Sequence, residues 1–373
     1  SIAMVAVPSL DGIRSLLGGC IPEDAPGPGP AMKLALAPGV RPDLPRKVDL
    51  RDRCSPVEDQ KKIGSCVSQA IVGAMEYLER RETGKHVDLS RLFLHYNARR
   101  IAGREGQDTG CGLHHGLAAA LAHGVCEEKL WPYRHEARNG RPPPDAYTAA
   151  HKRIVMDFGR VDAEDMLATV ASGLPIIFAG GFPVEYYGEA WIKGSFPSTA
   201  TAKPPPHFDP TMCHAMLIVG YDLDKEVWIV RNSWGVLYGR GGYFKIPFDT
   251  MKACTAPFLF WAISKVDDAD RGAPHISAPA REMLNHYGIE PNYARVPHPH
   301  SPAASFAQPS VAPAADRVGD SPKPVWTPQP ASAPSPHEAP HEAQAPAPTQ
   351  ASPAKEEGSS GSSAIERMKQ GLK

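Results

Sequence analysis

The sequence predicts an α+β fold with two subdomains and a cleft between them. Apolar residues recur at helical spacing in the first half of a central segment, whereas the second half contains short apolar runs bounded by turn residues. Proline-rich stretches flank this segment on both sides. Because helices come first and strands second, the two classes of element are expected to form separate layers.

The chain divides by composition into three parts. Its 373 residues include 40 prolines, which are unevenly spread, so the whole chain is not expected to fold. Residues 1–46 are predicted to be an N-terminal arm with a short helix at Leu10 to Leu17, and residues 47–265 a folded domain. Residues 266–373 are predicted to be a disordered Pro-, Ala- and Ser-rich tail, because they bury too little apolar surface to offset their ordering entropy.

Charge and hydropathy narrow the classes of partner. The net charge is -1, the pI is about 6.9 and the arginines do not cluster, so no nucleic-acid partner is expected. No run approaches the roughly 20 apolar residues of a membrane span, and the first 20 residues do not resemble a signal peptide. A monomer is expected. The compartment stays open between secreted, periplasmic and host-delivered.

The tail carries two further expectations. Residues 322–328 are compatible with docking on a proline-reading domain of an unknown partner, or with a solvated spacer. Residues 363–373 are compatible with one short amphipathic helix.

Two helices are predicted in the first half of the domain. The first begins close to Cys66, ends at Gly84 and places Glu76 outside its apolar face. The second covers residues 115–123 and ends at Gly124; it is apolar on most sides and therefore predicted to be buried. The apolar face of the first helix consists of Val67, Ala70, Ile71, Ala74, Met75 and Leu78.

Strands dominate the second half of the domain. A helix is predicted from Asp162 to about Ser172, followed by the strand 175–181. Residues 214–221 and 227–232 read as a hairpin around a polar turn. Two more strands are predicted at 241–246 and 258–263.

Three residues suggest nucleophilic chemistry. Cys66 lies at the start of a helix, where the partial positive charge favours thiolate over thiol. The hairpin turn brings His214 nearly opposite Asn232, whose amide oxygen can accept from one ring nitrogen and leave the other free. Each residue alone has a structural explanation, as a buried cysteine or a core histidine. Their combination favours a catalytic triad, with at least one of the seven cysteines unpaired.

Three blocks resemble the papain-like cysteine peptidase family, in a divergent bacterial, xylellain-like branch. The first runs from Val48-Asp49-Leu50-Arg51 to Gly64-Ser65-Cys66, the second is Cys213-His214-Ala215, and the third is residues 230–235, with Gly241-Gly242-Tyr243-Phe244 behind it. They occur in family order, and the resemblance covers about residues 47–263.

The resemblance implies the fold and the roles of further residues. It implies a helical left subdomain, a β-barrel-like right subdomain and an active-site cleft between them. Gln60 and the Cys66 N–H would stabilise the oxyanion, and Trp234 would cover the contact between His214 and Asn232. The pocket would prefer an apolar residue at P2, two residues before the cleaved bond. The implied substrate-binding residues are Gly64, Gly112, Leu113, Met212, Ala215 and Trp234.

The chain departs from the family at several positions. Ile63 stands where a cysteine is usual, so Cys111 lacks its expected disulfide partner. Val67 replaces an aromatic residue, and Cys213 precedes the histidine. His114-His115 resembles a pair found in family carboxydipeptidases but is interpreted as cleft wall or surface. The histidines and acidic residues lack metal-ligand spacing, so neither a metal nor another cofactor is expected.

Hydrolysis of peptides or proteins through a thioester acyl-enzyme is the favoured function. Two alternatives stay open: transfer of the acyl group to an amine, as in transglutaminase-like enzymes, and a catalytically inactive scaffold that acts as an adaptor. The arm is interpreted either as a strap that closes the cleft or as a packing arm on the back of the domain. The residues proposed to fill the cleft are Met4, Val5, Ile13, Leu16 and Leu17.

Overall fold

The structure is a computed structural model that describes residues 7–22, 44–107, 109–256, 259–267 and 276–290. Within these ranges the helices are α1 (Leu10–Arg14), α2 (Cys66–Thr83), α3 (Arg91–Ile101), α4 (Leu113–His123), α5 (Pro144–Ala150), α6 (Met166–Ala171), α7 (Val184–Lys193), α8 (Phe248–Ala253) and α9 (Ala278–His286). The strands are β1 (Lys47–Asp49), β2 (Ile154–Arg160), β3 (Ile176–Gly181), β4 (Cys213–Asp222), β5 (Val227–Arg231), β6 (Tyr243–Pro247) and β7 (Phe260–Asp267).

The strands form one antiparallel sheet, and the predicted α+β class is confirmed. The strand order is β2-β7-β3-β4-β5-β6, with β1 paired to β4. In the part of the chain that the structure describes, no pairing joins β2 to β6. The barrel-like right subdomain is therefore an open sheet and not a closed barrel.

The central strand β4 shows how the sheet joins two apolar layers. Ala215, Leu217 and Val219 belong to the core that contains α2 and α4, whereas Met216 and Ile218 belong to the core on the opposite face. Alternate side chains of a strand point to opposite faces of its sheet. Because both faces of β4 are covered, all ten of its residues are buried.

Helix α2 begins at Cys66 and stops at Gly84, as predicted. Gly84 has a φ of 73°, a conformation that glycine adopts without steric penalty, and its N–H donates to the carbonyl of Arg80. One prediction was wrong, because Glu76 is only 3% exposed. Its carboxylate accepts from the Leu89 N–H at 2.9 Å, and burial raises its pKa to about 7. This helix is covered on more sides than a single apolar face implies.

Helix α9 corrects the predicted boundary of the tail. It lies in the segment 266–373 that composition assigned to disorder, yet it packs against α4 and β2. Ile276, Ala280, Met283 and Leu284 are all at most 6% exposed and recur at helical spacing. The apolar face was overlooked because the average composition of the tail is dominated by the residues beyond it.

Several predictions fall outside the described residues. These are the proline-rich motif at 322–328, the short helix at 363–373, and the placement of Met4 and Val5. Strand β7 starts at Phe260, so the predicted start at residue 258 also lies outside them. Among the described helices, none is long and apolar enough to cross a membrane.

Candidate active site

Cys66 is the first residue of α2 and is fully buried. Its thiol lies against the backbone of Ala215, one residue beyond His214. Burial raises the pKa of the Cys66 thiol, whereas the backbone N–H groups of Ala215 and Val67 act in the opposite direction. The helix start supplies the environment that the sequence predicted, but burial keeps the thiol protonated.

His214 and Asn232 are joined at the open end of the β4–β5 hairpin. Nε2 of His214 lies 2.9 Å from Oδ1 of Asn232, and both residues are buried. Oδ1 also accepts from the N–H of Ser233 at 2.8 Å, which fixes the amide as an acceptor. Because that oxygen cannot donate, Nε2 must carry the proton and Nδ1 a lone pair.

The remaining edge of the His214 ring is available for chemistry. Nδ1 is buried without a hydrogen-bond partner among the described residues. Burial lowers the pKa of His214 to about 4, although the contact with Asn232 acts in the opposite direction. The histidine is therefore neutral in this conformation, and its free nitrogen can accept a proton.

An aromatic cluster covers the pair formed by His214 and Asn232. The Trp234 ring centroid lies 5.0 Å from that of His214, with an angle of 30° between the planes, and Trp234 is 5% exposed. Tyr187 meets His214 edge-on at 6.0 Å, and Trp191 and Tyr238 pack against Trp234. The sequence predicted the covering role of Trp234 but not its neighbours from α7 and the loop after β5. This cover keeps water from the Asn232 contact.

Gln60 is held by hydrogen bonds on both sides of its amide. Oε1 accepts from the Ser233 hydroxyl at 2.6 Å, and the Gln60 N–H donates to the Ser233 carbonyl at 2.7 Å. Nε2 donates to the carbonyls of Ile63 and Leu16, at 3.2 and 3.3 Å. The first two contacts tie Gln60 to Ser233, the residue that follows Asn232.

A tyrosine behind this loop was not predicted. The Tyr133 hydroxyl donates to the Gln60 carbonyl at 2.9 Å and lies 2.6 Å from the Ser65 hydroxyl. The Arg91 guanidinium packs over the Tyr133 ring, 5.3 Å from its centroid. Tyr133 thus connects the loop that carries Gln60 to the residue before Cys66. A single tyrosine in a loop has no periodicity or spacing by which sequence analysis could have identified it.

The predicted substrate-binding residues are only partly brought together. Leu113, the first residue of α4, and Ala215 are buried in one apolar cluster with Cys111 and Cys213. Trp234 belongs to the cluster on the other face. Met212 is half-buried in the turn before β4, Gly112 caps α4, and Gly64 lies in the loop before Cys66.

Residues 7–22, here named the strap, lie across this site. The Gly18 N–H donates to the Cys213 carbonyl at 3.2 Å. The Cys111 N–H donates to the Gly19 carbonyl at 3.3 Å, and the Ile21 N–H donates to the Cys111 carbonyl at 3.1 Å. Cys20 therefore forms a parallel bridge with Cys111. Together with the contact between Leu16 and Gln60, these bonds run from the amide of Gln60 to the start of α4.

Two features allow the strap to sit this close. A Cβ on Gly19 would lie 2.8 Å from the backbone carbon of Gly64, so only glycine fits there. Ile13 of α1 is fully buried, and its side chain lies next to Gly188 of α7. Ile13 thus packs in the core cluster that contains α7, whereas Gly18, Gly19 and Ile21 bond to residues at the site.

His114 and His115 pack beneath α9. The His114 ring stacks on Tyr287 at 5.9 Å, and burial lowers the pKa of His115 to about 3. His115 Nδ1 accepts from the Gly112 N–H at 3.2 Å. Within the described residues, no group of three or more His, Cys, Asp or Glu side chains is arranged to hold a metal ion.

Comparison with known proteins extends these observations. The sequence profile of the papain family cysteine protease matches residues 44–257. A peptidase C1-like protein of Acanthamoeba polyphaga mimivirus is 29% identical over 61% of this chain and 75% of its own length. The cysteine endopeptidase Rep1 of Oryza sativa is 31% identical over 57% of this chain, and the match spans 55% of its own length.

A solved structure of a cysteine protease is also similar to this chain. Xylellain, a cysteine protease from Xylella fastidiosa, superimposes with a TM-score of 0.55 at 28% sequence identity. The superposition covers 66% of this chain and 96% of xylellain. The profile match spans more than half of the chain and contains Cys66, His214 and Asn232. The chain therefore belongs to the papain family of cysteine proteases.

Proposed function

We propose that the protein is a cysteine endopeptidase in which Cys66 is the nucleophile, His214 its base and Asn232 the orienting residue. The observation that carries the proposal is the bond between His214 Nε2 and Asn232 Oδ1, which leaves Nδ1 as a free proton acceptor on the strand against which Cys66 lies. Gln60, the fourth residue of the site, is oriented by Ser233.

The reaction follows from these roles. His214 takes the thiol proton, and the Cys66 thiolate attacks the carbonyl carbon of the scissile bond. Gln60 Nε2 and the Cys66 N–H donate to the resulting oxyanion. The protonated His214 then gives its proton to the leaving amine, and a thioester remains on Cys66. Water attacks the thioester and releases the acyl group.

The buried apolar residues near the site support a preference for an apolar residue at P2. Leu113, Cys111, Ala215 and Cys213 bring no charged group to this cluster. A charged side chain would lose its hydration there without gaining a partner. The name of the rice relative supports endopeptidase activity, and no contact described here favours transfer to an amine.

We propose further that the strap inhibits the enzyme in the same chain. Leu16 takes a hydrogen bond of Gln60 that the oxyanion would need, and Cys66 and His214 have no exposed surface. The strap is tethered to the domain, so its local concentration is roughly millimolar and weak docking suffices to close the site. The peptidase would then act only when the strap leaves.

The test uses the full chain, the variant Ile13→Asp and the control Val7→Asp. Ile13 is buried against the domain, whereas Val7 is 39% exposed, so only the first change should release the strap. Quenched peptides with Leu or Asp at P2 are incubated with each protein, and the products are identified by mass spectrometry. Internal cleavage with a preference for Leu is expected.

Three outcomes would contradict the proposal. Absence of cleavage by Ile13→Asp at unchanged thermal stability would contradict peptidase activity. Removal of residues only from peptide ends would exclude an endopeptidase. Adding glycinamide distinguishes the acyl acceptors, because a transferase would form mainly the amide adduct.

A further inference from the structure

Four of the seven cysteines meet at the cleft. Cys20, Cys66, Cys111 and Cys213 are each at most 2% exposed. The other three lie elsewhere: Cys54 donates to the Leu50 carbonyl, Cys126 packs with Phe93 and Ala146, and Cys254 ends α8. All seven are free thiols. Only Cys20 comes from the strap, so any bond between it and the other three would join the strap to the domain.

The backbone holds Cys20 in one position. Its neighbours on both sides, Gly19 and Ile21, bond to Cys111, and Gly18 bonds to the carbonyl of Cys213. The Cys20 and Cys213 thiols are hydrogen-bonded to each other. Two neighbouring sulfurs need less backbone movement to be bridged than a distant pair.

We propose that Cys20 and Cys213 are a modification site, at which a small-molecule disulfide of the glutathione type forms an intramolecular disulfide that fastens the strap over the cleft. The proposal rests on the proposed function only for its effect on activity. The bond itself can be detected independently of any substrate.

The chemistry needs the strap to open briefly. The hydrogen bond with Cys213 and burial raise the pKa of the Cys20 thiol, so the closed strap is unreactive. In the open strap, the Cys20 thiolate attacks the small disulfide, forms a mixed disulfide and releases one small thiolate. As the strap returns to the domain and before it is buried again, the Cys213 thiol gives its proton to water, and its thiolate attacks the Cys20 sulfur and expels the second small thiolate.

The balance of this exchange defines the product. Two protein thiols become one disulfide, one small disulfide becomes two small thiols, and no other oxidant is required. Cys66 is not a member of the hydrogen-bonded pair and is fully buried when the strap is closed, so the disulfide leaves its thiol in place. The disulfide between Cys20 and Cys213 is here called the latch. Because it leaves the nucleophile unchanged, reduction alone restores the enzyme without cleavage of the chain.

The first experiment maps the bond in the full chain. The protein is incubated with oxidised glutathione, free thiols are alkylated in denaturant, and digests are analysed without reduction. We expect a peptide that links Cys20 to Cys213 and an alkylated Cys66. A link from Cys20 to Cys66 or Cys111, or no link to Cys20, would overturn the proposal.

The second experiment measures cleavage of a fluorogenic peptide before and after oxidation, and again after dithiothreitol. Wild type and the control Cys54→Ser should lose at least tenfold in activity and recover it with the reductant. Cys20→Ser should keep most of its activity in the oxidant. Equal loss in Cys20→Ser would overturn the latch, because inactivation would then not need Cys20.

The two proposals fail in distinguishable ways. If the reduced Ile13→Asp variant cleaves nothing, the proposed peptidase is wrong, but the linked peptide still reports on the latch. If that variant is active and the linked peptide never forms, only the latch is wrong.

Discussion

The strap and helix α9 both lie outside the segment that composition assigned to the folded domain, and they contact that domain in different ways. Helix α9 contributes side chains: Ala280, Met283 and Leu284 enter the core beside α4. The strap contributes mainly backbone, with carbonyls and N–H groups bonded to Gln60, Cys111 and Cys213. One segment extends the core, and the other forms hydrogen bonds with Gln60, Cys111 and Cys213 at the candidate site.

This difference indicates which of the two segments can leave the domain while the domain stays folded. Burial of apolar side chains stabilises the whole fold, so α9 should stay docked as long as the domain is folded. The strap's backbone hydrogen bonds are worth little net free energy, because water replaces them when it opens. Its side chains Ile13 and Cys20 are buried, and Leu16 and Leu17 are partly buried against the core.

The largest expected effect tests the cleft itself. Cys66→Ala should lower kcat by about a million-fold, as loss of the nucleophile does in comparable triads. The loss should be equally complete in the Ile13→Asp background, because strap release cannot replace the nucleophile. Activity is measured with the fluorogenic peptide, and thermal unfolding confirms that the variant folds. Residual Cys66-independent cleavage would assign the reaction to another group.

The second prediction tests α9. Met283→Ala should lower the free energy of unfolding by about 2–5 kcal/mol, because Met283 is fully buried and its loss leaves a cavity. The specificity constant of the folded enzyme should not change. Denaturant unfolding measures the first quantity and peptide cleavage the second. Unchanged stability would mean that α9 does not belong to the core.

The third prediction concerns the strap, for which a change in activity and little change in stability are expected. Ile13→Asp should raise the specificity constant at least tenfold, equivalent to about 1.4 kcal/mol, with little change in unfolding. Adding a free peptide of residues 7–22 should lower the activity again. A large loss of stability without a gain in activity would make the strap a structural element like α9.

Acid should weaken the docking of the strap. The pKa of His214 is about 4 under the strap and should return towards the ordinary value of about 6.5 when the ring meets water. His214 therefore stabilises the closed form above about pH 6.5, and this contribution is lost as pH falls towards 4. Between pH 7 and 5.5 the open fraction should rise about eightfold.

Limited proteolysis of the Cys66→Ala variant with an added protease measures this opening without self-cleavage. In Ile13→Asp the pH dependence of strap cleavage should largely disappear. Equal pH dependence in both proteins would trace the effect to groups other than those under the strap.

The smallest effect concerns the loop behind the cleft. Tyr133→Phe removes the hydroxyl that holds the Gln60 carbonyl and should lower kcat roughly fivefold, near 1 kcal/mol, with little change in KM. In a Gln60→Ala background the same change should have no further effect. Tyr147→Phe is the control, since its hydroxyl bonds to Asn97 away from the cleft. Equal losses of kcat in both backgrounds would show that Tyr133 does not act through Gln60.

Local sequence patterns predict the site best where function depends on side chains at fixed spacing. The start of α2 at Cys66 and the hairpin that joins His214 to Asn232 both follow from local patterns, and the structure has both. The burial of Glu76 was missed because periodicity assumes that a helix has one covered face. Helix α9 was missed because composition was averaged over a long tail.

The contacts of the strap could not be read from the sequence for a different reason. They are bonds between backbone groups, and every residue except proline carries the same donor and acceptor. Gly19, Gly64 and Gly110 permit the close approach, but a glycine in a loop predicts a turn as readily as a contact. Ser233 and Tyr133 act through hydrogen bonds that connect distant parts of the chain.

The position of the strap in the sequence also determines when it can dock during synthesis. Residues 7–22 leave the ribosome before the rest of the domain, and Cys213, whose carbonyl accepts the Gly18 hydrogen bond, follows roughly 190 residues later. At about 5–20 residues per second, the strap waits roughly 10–40 s for its binding site. That binding site includes β4, the strand that carries His214. The nascent chain therefore completes His214 and the binding site of the strap together, so the strap can dock as soon as this strand is in place.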